Sequence, residues 1–215
     1  MNLYQKLKKK DLKQENYRNF KLSARIAGSF FCVLFLAISG ILWYNEYGGD
    51  FLRILGLDPG LAILGFGLID TNGNKFKLVD YGIINTEPDL TFPERLKLLY
   101  DDLDFLIKRY QPDEVSIEEL FFYRNVTTAI KVAQARGVQV LCCLNNEIPI
   151  YEYTPLQVKQ GITGYGRANK RDIQECVKSF LNMKEIPKPD DAADALALAI
   201  CHSFTGRFKD EFRLK

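Results

Sequence analysis

Ile54-Leu55-Gly56-Leu57-Asp58-Pro59-Gly60 is an apolar run that ends in an acid and turns at once. Leu52 to Leu57 has the length and composition of a buried strand, and Pro59-Gly60 bends the chain while leaving room for close backbone approach. Ala62 to Asp70 reads as a second strand, Asn72-Gly73 as a hairpin turn and Phe76 to Asn85 as a third strand, which together make an antiparallel meander. Beyond it the period changes. Leu96, Leu99, Leu103, Leu106, Ile107 and Tyr110 recur at helical spacing, with Thr91 placed to start the helix and Pro112 to stop it. Glu114 to Glu118 reads as strand four and Ile148 to Tyr153 as strand five. Between them, Val126 to Leu144 is helical and apolar nearly all round, so it should be buried on more than one side, in the core or against another subunit. The glycine-punctuated stretch Gly161 to Gly166 leads into a helix from about Asn169 to Leu181, and Pro187 and Pro189 precede a last helix from Asp190 to about Phe204. The expected fold is α/β: a mixed five-stranded sheet, three antiparallel strands followed by parallel ones, with helices on both faces.

Acids stand at three element ends of this scheme. Asp58 closes the first strand, and Ser116-Ile117-Glu118-Glu119-Leu120 closes the fourth. Val115 and Ile117 share one face of that strand, which leaves Glu118 with Ser116 on the other and makes Glu118 a better ligand candidate than Glu119. Asp190 sits where an N-cap is expected, and Asp191 and Asp194, three apart, share one helical face. The helix macrodipole accounts for one acid in a first turn but poorly for three. Carboxylates gathered in this number repel unless a cation lies between them. With no thiolate or imidazole in the set, that cation should be hard: Mg²⁺, with Mn²⁺ as substitute, and two ions per subunit. Such a set is suited to in-line phosphodiester hydrolysis.

Charge is uneven along the 215 residues. Residues 1 to 25 hold eight Lys/Arg against two Asp/Glu, a surplus of +6 in a chain whose total is +2, so the remainder carries −4. Bulk charge therefore does not mark a nucleic-acid binder, and DNA contact must come from a local cluster. Lys159, Arg167, Lys170 and Arg171 form one, within thirteen positions and beside glycines. The five cysteines, Cys32, Cys142, Cys143, Cys176 and Cys201, have no C-x-x-C spacing and read as reduced, buried thiols of a cytoplasmic protein. The single histidine, His202, reads as a capping or surface residue near a helix end.

Residues 1–50 stand apart. Ile26 to Tyr44 is an uncharged run of 19 residues, about a bilayer span, behind a basic lead that the positive-inside rule would keep cytoplasmic. That orientation would send the acidic domain away from DNA. Three readings stay open: a membrane anchor, an apolar helix docked on something else, or an extension that the working protein lacks. The expected organisation is a basic and apolar segment at 1–50, a nuclease domain at 51–205 and a polar tail at 206–215.

The ordered motifs resemble the RuvC-type Holliday junction resolvases of the RNase H-like superfamily. The resemblance runs from about Arg53 to Ser203, roughly 150 of the 215 residues. It is carried by Gly56-Leu57-Asp58-Pro59-Gly60, Ile117-Glu118-Glu119-Leu120-Phe121, Gln134-Ala135-Arg136-Gly137-Val138, Glu152-Tyr153-Thr154-Pro155, Val158-Lys159-Gln160, Gly164-Tyr165-Gly166 and Asp191-Ala192-Ala193-Asp194-Ala195-Leu196-Ala197. It implies an Mg²⁺-dependent endonuclease that resolves four-way junctions by paired nicks, with Asp58, Glu118, Asp191 and Asp194 as catalytic acids and metal ligands. Asp191 takes a slot where some members carry His. The resemblance also places Phe121 at the junction centre with Phe122 beside it, Lys159 and Lys170 near the scissile phosphate, and Val126 to Leu144 in a homodimer contact. RuvA and RuvB, which move junctions, are its implied partners. Another RNase H-like hydrolase acting on RNA or duplex DNA, or a non-catalytic junction-binding protein, is the alternative.

Overall fold

A computed structural model describes residues 51–120 and 126–214, although for residues 126–128 and 207 only the backbone is described. The apolar segment Ile26 to Tyr44 and the aromatics Phe121 and Phe122 lie outside the described residues.

The elements run β1 (Leu52–Asp58), β2 (Ile63–Asn72), β3 (Lys75–Asn85), α1 (Phe92–Tyr110), β4 (Glu114–Glu118), α2 (Val126–Asn145), β5 (Ile150–Tyr153), α3 (Pro155–Thr163), α4 (Lys170–Phe180) and α5 (Asp190–Thr205). A 3₁₀ turn, Gly206–Phe212, follows. The five strands are ordered β3-β2-β1-β4-β5. β1, β2 and β3 pair antiparallel, whereas β4 lies parallel to both β1 and β5. This is the mixed sheet expected from the residues.

Both faces of the sheet are covered. Neighbouring residues of β1, Ile54 and Leu55, are each fully buried although they point to opposite sides. α1 packs on α2, while α3, α4 and α5 pack on one another, and α5 lies across β1 and β2. The chemistry belongs to the α5 side. Glu114 points there, since its carboxylate reaches His202 of α5, so Ser116 and Glu118 do as well by the two-residue period.

Local signals set the ends of the helices. Thr91 caps α1, its backbone N–H donating to Glu94 at 2.8 Å, and the helix stops at Gln111, whose φ of 45° is left-handed. The hairpin between β2 and β3 turns on Gly73, with φ of 60°, and Asn74, one position later than the Asn72-Gly73 reading. A helix that periodicity did not reveal, α3, precedes the glycine-punctuated segment and runs into its first residues. Its start is nonetheless written in the chain: Thr154 accepts from the Gln157 N–H at 3.1 Å, Gln157 accepts from the Thr154 N–H at 2.8 Å, and Pro155 occupies the first turn.

His202 is not a surface residue. It is 2% exposed, its Nδ1 2.6 Å from the Tyr153 hydroxyl and its Nε2 2.7 Å from Glu114. The 3₁₀ turn folds back over this end of α5: Lys209 pairs with the other oxygen of Glu114, and Phe212 stacks on Tyr153. Arg213 then bridges to Tyr151 of β5, so this segment is tied back through Lys209, Phe212 and Arg213. Cys142, Cys143 and Cys201 are buried free thiols and Cys176 is a half-buried one, in line with the reduced-thiol reading.

Candidate active site

The two strands that end in acids are neighbours. β1 and β4 run parallel with Leu57 opposite Ile117, so Asp58 and Glu118 emerge side by side at the same sheet end. α5 brings the other acids over them because glycines of β1 and β2 let it lie close to the sheet. A Cβ built on Gly56 would stand 1.9 Å from the Ala195 carbonyl oxygen, and one on Gly65 would stand 2.1 Å from that of Asp191. The helix backbone therefore rests directly on the strands, which only glycine permits. Gly65 is also the register partner of Asp58, so Asp191 is held beside it, with Asp194 one turn further along the helix.

Electrostatics record how close the four acids are. Asp58 is pushed up to about 7, first by burial and then by the charges of Glu118, Asp194 and Asp191, against the opposing pull of Lys170. Glu118 is raised by burial and by Asp194, while accepting a hydrogen bond from the Asp58 carboxyl lowers it in part. Asp194 is raised by burial, and the Lys170 ammonium opposes that shift. The hydrogen bond between Asp58 and Glu118 and the Lys170 ammonium beside Asp194 each oppose part of that repulsion.

Lys170 Nζ lies 3.0 Å from Asp194 Oδ2 and 3.2 Å from Asp190 Oδ2. A lysine as the first residue of a helix opposes the macrodipole, so these acids are what place it there. Asp190 is not the N-cap of α5, a position held by Pro189. It is the first helical residue, and Gln174 also donates to it at 3.1 Å. Lys159 sits on α3, Arg167 between α3 and α4, and Arg171 beside Lys170 at the start of α4, the last two exposed. All three of Arg167, Lys170 and Arg171 are exposed, and Lys170 reaches the carboxylates of Asp190 and Asp194.

Among the described residues, no three acidic, histidine or cysteine side chains already stand as a metal-coordinating group. The donors nonetheless suit a hard divalent ion. All four offer carboxylate oxygens, and their mutual repulsion is what such an ion would relieve.

Residues 54–202 match the model of the family "Crossover junction endodeoxyribonuclease RuvC". The chain belongs to that family. Among its relatives, the crossover junction endodeoxyribonuclease RuvC of Alkaliphilus oremlandii is 59% identical over 162 residues, covering 75% of this chain and 99% of its own. That of Clostridioides difficile is 55% identical over 156 residues, covering 73% of this chain and 92% of its own. The Thermus thermophilus RuvC structure in complex with a Holliday junction substrate superposes with a TM-score of 0.72 at 34% identity, covering 76% of this chain and 99% of its own. The yeast mitochondrial Holliday junction resolvase Ydc2 shares the fold, with a TM-score of 0.51 at 13% identity, covering 75% of this chain and 86% of its own. The RNase H-like architecture expected from the motifs is thus the observed one.

Two groups near the site escaped the sequence reading: Arg136 and Gln139 of α2. Arg136 was noted only within a motif, and Gln139 was passed over, although an amide in an otherwise apolar helix is itself a signal.

Proposed function

We propose that this protein resolves Holliday junctions in homologous recombination and DNA repair by paired nicks in strands of like polarity. The observation that carries the proposal is the convergence of Asp58, Glu118 and the α5 acids Asp191 and Asp194 at one end of the sheet, in a chain of this nuclease family. Asp58, Glu118, Asp191 and Asp194 would hold Mg²⁺, or Mn²⁺ in its place, as two ions per subunit. When bound, such ions activate the attacking water and stabilise the departing oxygen.

The chain's own groups prepare that state. A cation would compete with a proton for the Asp58 carboxyl, so loading would be favoured by rising pH. Lys170, paired with Asp194 at 3.0 Å, would be available to a phosphate if that acid held a cation instead. Lys159, Arg167 and Arg171 supply further positive charge toward the DNA backbone. From the sequence alone, Phe121 is assigned to stacking at the junction centre, with Phe122 and Tyr123 as neighbouring aromatics able to take that role.

A homodimer through Val126 to Leu144 is supported by an apolar stripe on α2. Ile130, Leu141 and Leu144 are 55%, 52% and 59% exposed, with Gly137 between them on the same face. Two identical sites would match the two-fold symmetry of a four-way junction. RuvA and RuvB are the proposed partner proteins, and the cytoplasm the proposed location. Among the described residues no helix is long and apolar enough to cross a membrane. We assign the nuclease domain to residues 51–205 and keep 1–50 as a separate basic and apolar segment.

The test compares a four-way junction, linear duplex DNA and an RNA–DNA hybrid side by side in Mg²⁺ and in EDTA. Paired, Mg²⁺-dependent nicks confined to the junction are expected. Equal cutting of the other substrates, or tight junction binding without nicking, would overturn the proposal.

A further inference from the structure

Resting on the nuclease reading above, we propose that Gln139 and Arg136 are positioning residues of the metal site. From α2, they hold the backbone at the two strand ends that carry Asp58 and Glu118.

The contacts are specific. Gln139 Nε2 donates to the Gly60 carbonyl at 3.2 Å, fixing the turn that follows Asp58. Arg136 Nε donates to the carbonyl of Glu118 itself at 3.3 Å, and its Nη2 pairs with Glu152 on the adjoining strand β5. The two residues are three apart, so one helical face reaches both strand ends. Gln139 stands opposite the exposed Ile130, Gly137, Leu141 and Leu144 stripe, at 3.6 residues per turn. The helix with an outward apolar face thus touches the acid-bearing ends on its inward side.

Apolar packing alone gives no reason for an amide at 139. Gln139 is 0% exposed and its Oε1 has no hydrogen-bond partner, an arrangement that costs free energy in a core. Methionine would fill the same volume without an orphaned oxygen. What methionine lacks is the donor to Gly60. A local departure from good packing chemistry beside a site, with one hydrogen bond directed at the site's own backbone, points to function.

The experiment compares the full-length wild type with Gln139→Met, Arg136→Met and Arg136→Lys. Three readouts are taken: Mn²⁺ affinity by electron paramagnetic resonance, single-turnover junction cleavage, and junction affinity in EDTA. For Gln139→Met the melting temperature should equal or exceed the wild-type value, while Mn²⁺ binds about tenfold more weakly, the scale seen when groups supporting metal ligands are removed. Cleavage should slow at least in parallel, with junction affinity in EDTA unchanged. Arg136→Lys should recover part of what Arg136→Met loses in Mn²⁺ affinity, which a purely structural role would not produce. A folded Gln139→Met protein with wild-type Mn²⁺ affinity and cleavage rate overturns the proposal. Should that variant not fold, equal Mn²⁺ affinity in wild type, Arg136→Lys and Arg136→Met overturns it, and a graded loss supports it. If the wild type binds Mn²⁺ but nicks no junction, the nuclease reading fails while the Mn²⁺ comparison still judges the positioning role.

Discussion

Replacing Asp58 by Asn should abolish cleavage and at the same time stabilise the metal-free protein. Asp58 is raised from 3.8 to about 7 by burial and by three neighbouring carboxylates. A carboxyl whose folded pKa is raised carries no penalty well below its unfolded pKa, and the fold loses stability as pH rises through the folded value. Three units at about 1.36 kcal/mol each put the full cost of ionising Asp58 in the folded protein near 4 kcal/mol. Relaxation and water entry lower the observable gain to about 2–4 kcal/mol at pH 8. For a domain of this size that corresponds to roughly 5–12 °C in melting temperature. Scanning calorimetry in EDTA at pH 8 and pH 4 measures it. Asp58→Asn should melt higher than wild type at pH 8, and the difference should shrink to a small fraction at pH 4, where the wild-type carboxyl is protonated in the folded state and only part-ionised in the unfolded one. Added Mg²⁺ should raise the wild-type melting temperature more than that of the variant. An Asp58→Asn protein that melts no higher than wild type at pH 8 in EDTA would mean that the four acids do not press on one another. The reasoning from charge repulsion to cation binding would then collapse.

Lys170→Met should leave the salt dependence of junction binding unchanged in EDTA, where Lys170 is occupied by Asp194, and flatten it by about one unit of log–log slope when Ca²⁺ replaces the ammonium there. Equal slopes for wild type and variant in Ca²⁺ would rule out a phosphate role for this lysine. Gly65→Ala drives a Cβ to 2.1 Å from the Asp191 carbonyl oxygen, so it should cost about 3 kcal/mol in urea unfolding and suppress cleavage, because α5 must lift with its acids. His202→Leu leaves Glu114 and the Tyr153 hydroxyl short of a buried partner and should cost about 3 kcal/mol in the same measurement. Cleavage by the folded fraction of that variant should stay near wild type, since the cluster lies at the far end of α5 from Asp191.

Much of this architecture is legible along the chain because its strands and helices differ in period. The run Leu52 to Asp58 and the Gly73 hairpin specify the meander, and Leu99, Leu103 and Leu106 specify α1. Asp58 and Glu118 were also legible, since each ends an apolar strand and parallel pairing sets such ends side by side. Contacts between distant segments were not. The pairing of Lys170 with Asp194 joins residues 24 positions apart, and no local pattern distinguishes it from a lysine facing solvent. His202 was misplaced because its burial depends on Glu114, 88 residues away, and on a 3₁₀ turn without marked periodicity. Nothing local marks Gly65 within its strand, and only α5 lying on it explains the missing side chain. α3 was missed for a different reason: nine residues are too few for a clear apolar stripe, although the Thr154 and Gln157 capping box marked its start.

The most direct measurement is anomalous diffraction from crystals of the protein grown with Mn²⁺. Manganese peaks bounded by the carboxylates of Asp58, Glu118, Asp191 and Asp194, with Lys170 withdrawn from Asp194, are expected. Manganese absent from this end of the sheet at millimolar concentration, with Lys170 still on Asp194, would contradict the account.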